Sequence, residues 1–445
     1  MALWIKTPLA VLAEGAEGGL VIEGSEIVEL VPSGGRPATE PDETFDASEH
    51  VVLPGLINTH HHFYQTLTRA HPEALDKELF PWLSALFPVW SRMTPEAVRA
   101  AVQVAMVELM LSGCTTTSDH HYVFPQGGGD AIDIAVEVAR ELGMRVVLTR
   151  GSMDLSQKDG GLPPDEVVQP ADVILADSER LIAAYHDSGP GAMVQIALAP
   201  CTPFTATREL MRDTAELARR MGARLHTHLS ETEDEVAYCR ERFGHRPLDY
   251  LEAVGWLADD VWLAHGIYFT EDERRRLGRA GTAICHCPTS NMILASGFCA
   301  VPDLEAAGCA VGLGVDGSAS NNSSNLIQEV RQAMLLQRVA RRDSTISHKD
   351  ALRWATRGSA GCLGRTDIGE IAVGRQADLA LFRLDDLRFS GHGEPVAALI
   401  LAGAHEVDRL MIAGRWRVVD GAIPGLDLAR LRADHQRAAD LLATA

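Results

Sequence analysis

At 445 residues, 46% hydrophobic and 23% charged, the chain has the composition of a soluble globular enzyme. It is long enough for one large barrel plus a smaller unit. A formal net charge of −21 excludes nucleic acid and anionic membranes as partners, because both need a basic surface, and it leaves a small neutral substrate.

The first residues, MALWIKTPLAVLAEGAEGG, have a signal-like apolar stretch, but Lys6 and Pro8 break it and it runs into strand-like text from Gly19 to Val31. It reads as structure, and no later run is apolar for long enough to span a bilayer. Leu53 to His62 then read LPGLINTHHH, a short strand that closes on H-x-H. Side chains on a strand alternate, so His60 and His62 share one side and His61 takes the other. Two imidazoles side by side at a strand end are half of a metal site.

From there to about residue 320, short apolar runs alternate with helical patterns. The expected strands are Leu56–His62, Cys114–Asp119, Met144–Gly151, Val194–Pro200, Ala223–Ser230, Val261–Gly266, Thr282–Cys287 and Ala310–Asp316. Expected helices include Pro95–Ser112, with Thr94 as N-cap and Gly113 at its exit, then Ala131–Leu142, Asp177–Asp187 and Arg208–Met221. Eight strands, each followed by helix, predict an α/β fold of the (β/α)8 barrel type. Helix Lys349–Leu363 would close the barrel. The flanks, GGLVIEGSEIVELV in front and GRQADLALFRL with VDRLMIAGRWRVVDG behind, read as one small β-sandwich assembled from both termini. The expected division is residues 1–57 and 371–445 for the small β-domain and 58–370 for the barrel.

Catalytic groups of such a barrel sit at the carboxyl ends of its strands. Strand one ends in His60 and His62. Strand five, RLHTHLSE, brings His228 with Glu231 three residues on, strand six ends in His265, and strand eight ends in Asp316. Three neutral imidazoles and a carboxylate leave room on a metal for a water, whose pKa the ion lowers. Glu231 can pass a proton to a ring nitrogen and then to a leaving amine, Asp316 can accept one from the water, and His265 can orient it. Glu233 and Glu235, in the stretch ETEDE, read as an ordinary solvated helix start. His61 and His226 read as packing or interior hydrogen-bonding residues. His286 and one of His120 and His121 are candidates either for the pocket wall or for the interior.

The motifs PGLINTHHH, HLSE, HCPTSN, GVDGSASNN and IGEIAVGRQADLALF, spread over nearly the whole length, resemble the amidohydrolase superfamily, and within it the aminohydrolase branch. By that resemblance His60, His62, His228 and Asp316 would bind one divalent metal, with Glu231 and His265 as the catalytic pair. Two-metal members resemble one another in a carboxylated lysine on strand four. Strand four here, MVQIALAPCTPF, has none, which favours one ion: zinc first, with iron close behind. Gln65 resembles a glutamine that grips a purine edge, and the aromatic-rich stretch Phe80 to Trp90 could cap a flat heterocycle.

Guanine-type members carry P-R-F where this chain has APCTPF, with Cys201 a candidate substrate contact. That stretch, together with LFPWLSALFPVW and TTTSDHHYVFP, looks like the 8-oxoguanine deaminase group, which implies 8-oxoguanine plus water giving urate plus ammonia. Hydroxy-triazine, guanine, isocytosine and pterin remain as alternative substrates. The eight cysteines form no disulfide framework, and a cytoplasmic, homodimeric protein is expected.

Overall fold

A computed structural model of the chain describes residues 1–125 and 130–444. Eight parallel strands close into a barrel: Leu56–Asn58, Cys114–His121, Arg145–Ser152, Val194–Pro200, Arg224–Leu229, Val261–His265, Ala283–His286 and Val311–Leu313. They are barrel strands one to eight below. Strand eight returns to strand one through Leu313 and Asn58. All eight strands expected from the sequence are present, helices pack around them, and the barrel is the (β/α)8 type.

Strands one and eight are shorter than their patterns suggest. Asp316 has φ 62°, which an extended strand does not allow, so the chain leaves the ladder before its functional residues. Cross-links hold the two departing segments together: Thr59 N–H donates to the Leu313 carbonyl at 2.9 Å, and Asp316 N–H to that of His60 at 3.1 Å.

The helices follow their caps. Thr94 Oγ1 accepts from Ala97 N–H to open helix Pro95–Leu111, and Thr207 does the same for Arg208–Met221, which Gly222 ends at φ 73°. The helix expected from Asp177 starts six positions earlier and spans Ala171–Tyr185. Its buried face already begins at Ile174 and continues through Ser178, Leu181 and Ile182.

The flanks form two sheets packed face to face. One orders Glu26–Val31, Gly19–Glu23, Ala2–Lys6 and Glu43–Asp46; the other orders Arg415–Val418, Arg409–Ile412, Leu379–Arg383, His50–Pro54 and Ala10–Val11. Leu3, Ile5, Leu20 and Ile22 from the first sheet meet Val52, Leu379, Leu381 and Met411 from the second. The chain passes from sandwich to barrel at Gly55, where a Cβ would lie 2.2 Å from Thr115 Oγ1, so only glycine fits.

Beneath this passage Arg145, at the start of strand three, forms a buried bidentate pair with Asp378. Not everything after residue 371 stays with the sandwich. Helix Leu428–Thr444 lies along Pro95–Leu111 of the barrel, with His435 Nε2 bonded to Thr66 Oγ1 at 3.1 Å and Arg92 Nη2 donating to the Leu442 carbonyl at 2.7 Å. Among the described residues no helix is long and apolar enough to cross a membrane.

Candidate active site

His60, His62, His228, Glu231, His265 and Asp316 converge at the carboxyl ends of the strands, each 6% exposed or less. Hydrogen bonds set their tautomers. A carbonyl only accepts, so His62 Nδ1, 2.7 Å from the His120 carbonyl, carries a proton, as does His228 Nδ1, 2.8 Å from that of Cys201. His226 Nδ1 likewise donates to the Trp262 carbonyl at 2.8 Å. Its Nε2 therefore accepts from His60 Nδ1, also at 2.8 Å. Burial favours the neutral rings, pushing His60 and His226 well below the usual imidazole range and His228 down to about 3.

Three Nε2 lone pairs consequently point inward. His62 Nε2 and His228 Nε2 are 3.2 Å apart, and Asp316 Oδ1 lies 3.2 Å from both His60 Nε2 and His62 Nε2. Lone pairs facing one another at such distances repel unless a cation lies between them. His60 Nε2 is moreover a buried atom without a hydrogen-bond partner. The donor atoms of His60, His228, His265 and Asp316 all fall within 4.8 Å of one another, as do those of His60, His62, His120 and His228. Imidazoles plus a carboxylate are the donor set of a divalent transition metal, so these residues fit the ion the sequence implied.

The surrounding bonds are equally directed. Asp316 Oδ2 accepts from Ser290 Oγ at 2.6 Å and from Ser320 Oγ at 3.3 Å, and Oδ1 accepts from Gly317 N–H at 2.8 Å. Burial works against its charge, and these three donors offset that cost. His265 Nδ1 donates to Asn291 Oδ1 at 2.9 Å, which turns its Nε2 toward Glu231 Oε2 at 3.5 Å. Burial and the neighbouring Asp316 charge push Glu231 well above the usual carboxylate range, which favours its protonated form. Ser230, His265 and Asp316 all have positive φ, at 55°, 71° and 62°. Such strain costs about 1–3 kcal/mol per residue and gathers at functional sites.

Above these groups lies a small cavity of about 30 Å³. Leu79, Trp82 and Leu83 of helix Leu79–Trp90 roof it, with Phe204 and Leu294 adding apolar wall. Trp82 Nε1 ties the roof to the Ala319 carbonyl at 3.3 Å. Gln65, Tyr122, Cys201, Thr202 and Ser320 supply the polar lining. Both carboxamide atoms of Gln65 are buried and unpartnered, and a Cβ at Gly317 would lie 1.7 Å from Gln65 Oε1.

The remaining histidines fall elsewhere. His61 bonds Ser324 Oγ at 2.8 Å, and His121 bonds the Val123 carbonyl. His286 faces Gln337, and His120 stacks beneath His228 with its Nε2 on the Ala199 carbonyl. None of these four lines the cavity. Sequence reasoning passed over Ser290, Asn291 and Tyr122. HCPTSN stands out as a motif, but its serine and asparagine act on the residues that follow strand eight and end strand six, which spacing does not reveal. Glu235 is also not a solvated helix residue: it is 1% exposed and accepts the backbone N–H groups of Ser230 and Glu231.

Residues 51–417 match the model of the amidohydrolase family. The chain is 61% identical to an 8-oxoguanine deaminase of Pseudomonas aeruginosa, over 99% of this chain and 98% of that protein. It is 39% identical to a hydroxydechloroatrazine ethylaminohydrolase of Pseudomonas sp. strain ADP, over 87% of this chain and 81% of that one. Among solved structures, the zinc complex of an atrazine chlorohydrolase from Arthrobacter aurescens TC1 superposes with a TM-score of 0.93 at 31% identity, covering 98% of this chain and all of that one.

Proposed function

Because the chain belongs to the amidohydrolase family, we propose that it is a metal-dependent hydrolytic deaminase that converts 8-oxoguanine and water into urate and ammonia. One observation carries the chemistry: a cage of imidazole lone pairs and a carboxylate lies beside the buried Glu231 carboxyl under one cavity. The 61% identity to an 8-oxoguanine deaminase supports the ring.

His60, His62, His228 and Asp316 would hold the metal, and a bound divalent ion supplies Lewis acidity and a nucleophile from water near neutral pH. Zinc is supported by the donor set and by the zinc in the triazine-hydrolase neighbour. Asp316 accepts the proton released by water, while His265, aimed by Asn291, orients that water. Glu231 gives its proton to the ring nitrogen beside the amino-bearing carbon, takes up the proton of the added hydroxyl, and delivers it to the amine as the C–N bond breaks and the carbonyl forms; return of the Asp316 proton to Glu231 restores both groups. Gln65 offers a donor and an acceptor to the paired C=O and N–H of a purine-like edge, with Cys201 a further contact. Helix Leu79–Trp90 excludes bulk water from above. The proposal extends to a homodimer in the cytoplasm, a compartment in keeping with eight buried free thiols.

An ammonia-release screen over 8-oxoguanine, guanine, isocytosine, pterins and hydroxy-triazines tests the substrate. The highest kcat/KM is expected for 8-oxoguanine; faster turnover of guanine or a hydroxy-triazine overturns the assignment. Elemental analysis of the active enzyme is expected to give one metal per chain, with zinc predominant.

A further inference from the structure

We propose that Glu235 is a positioning residue for Glu231: its carboxylate grips the turn after strand five and so aims the Glu231 carboxyl at the cavity. The inference rests on the reading of Glu231 as the proton shuttle.

Glu235 stands in the first turn of helix Glu233–Phe243, whose N-cap is Thr232. In an ordinary capping box the third helical residue reaches back to the N–H of the cap. Thr232 performs its half, since its Oγ1 accepts from Glu235 N–H at 3.3 Å. Glu235 reaches further. One carboxylate oxygen accepts Ser230 N–H at 2.9 Å, and the other accepts Glu231 N–H at 2.8 Å. The grip therefore falls on the strand exit rather than on the helix.

That exit is strained and shared. Ser230 has φ 55°, a conformation that a side-chain-bearing residue holds only where its surroundings impose it. Its carbonyl accepts from Ile267 N–H at 2.8 Å and Tyr268 N–H at 2.9 Å, just beyond His265. One turn is thus fixed to Glu231 on its own strand and to the segment that follows His265 on the next. Burying a carboxylate is costly. A neutral cap would have served the helix alone, whereas two oxygens in a fork are needed to hold two successive N–H groups. Glutamine keeps one acceptor and sets an N–H₂ against the other N–H.

The test measures steady-state kinetics by ammonia release, bound metal and thermal unfolding for the wild type, Glu235→Gln, Glu235→Asp, Thr232→Ala and Glu231→Gln. With metal content unchanged, Glu235→Gln is expected to lower kcat about a hundredfold, the usual cost of misplacing a catalytic group by an ångström. KM should stay within about twofold, and the alkaline limb of the kcat profile should move because it reports the Glu231 proton. Glu235→Asp keeps the charge but retracts it by one carbon, and should lose about tenfold through a weakened charged hydrogen bond. Thr232→Ala should lower the melting temperature while kcat stays within about twofold. Wild-type kcat in either Glu235 variant overturns the proposal, as does an equal kcat loss in Thr232→Ala, which would make the helix cap the cause. Wild-type turnover in Glu231→Gln instead overturns the shuttle reading beneath it.

Discussion

At the amino ends of the barrel strands, buried Arg145 engages all three nitrogens of its guanidinium, through four of its five N–H groups. Nε and Nη2 donate to the two oxygens of Asp378 at 3.0 and 3.2 Å, and Nη1 donates to the carbonyls of Gly191 and Ala192, both at 2.7 Å. Asp378 also accepts Ala413 N–H at 2.7 Å, so the knot ties barrel strand three to the sandwich. At the carboxyl ends the polar groups are as deeply buried but are left open: His60 Nε2, both Gln65 carboxamide atoms and Asn291 Nδ2 have no partner. An unsatisfied buried polar group costs about 1–3 kcal/mol. Polar groups buried to join two units are closed on themselves, while those buried for chemistry stand ready for something that enters.

The largest effect expected from breaking this contrast is at the open end. Glu231→Gln should keep metal, fold and KM while kcat falls on the order of 10²–10⁴-fold, the range for a positioned proton donor; ammonia release alongside metal analysis checks it. At the closed end Arg145→Met strands Asp378 without its cation and should cost about 3–5 kcal/mol in denaturant unfolding. Its remaining folded fraction should keep wild-type kcat. A stable Arg145→Met protein would show that the closed knot does not hold the two units together.

Smaller changes sharpen the picture. Gly317→Ala drives a methyl into Gln65 Oε1, and an overpacking penalty of about 1–3 kcal/mol should raise KM roughly tenfold with a smaller change in kcat. The smallest effect is in the pH dependence of stability. Burial raises Glu231 in the folded chain, so above the ordinary carboxylate pKa the native state binds more protons than the unfolded one. This group therefore makes stability fall as pH rises toward its elevated value, by up to about 1.4 kcal/mol per pH unit. Unfolding of wild type and Glu231→Gln across that range should show a shallower slope in the variant.

Much of this was legible because the fold repeats a local rule eight times. Apolar runs bounded by turns located every barrel strand, and the alternation argument put His60 and His62 on one side although their strand stops at Asn58. The candidate cage stood out because titratable residues recur at one end of successive strands. Residues that act across the sequence were not legible. Ser290 reaches Asp316 and Asn291 reaches His265, each across 26 positions, and nothing in their neighbourhood announces a partner. Glu235 was misread for the opposite reason: an acidic helix start has a sufficient local explanation in the helix dipole, and only packing reveals that the side chain points inward. The early start of helix Ala171–Tyr185 was lost in the same way, since the apolar face there begins with a single isoleucine.

The pairing of His50–Pro54 with Leu379–Arg383 has a consequence during synthesis. Pro54 leaves the ribosome long before its neighbour Leu379, an interval of tens of seconds at roughly 5–20 residues per second. Throughout that time the His50–Pro54 strand has an open edge, and the first sheet has an apolar face without its full cover. The barrel can round up as its strands emerge in order, whereas the sandwich can close only near the end of translation. A nascent chain stalled before residue 379 would therefore display sticky amino-terminal strands on a nearly finished barrel. Holdase chaperones would be expected to cover those strands first.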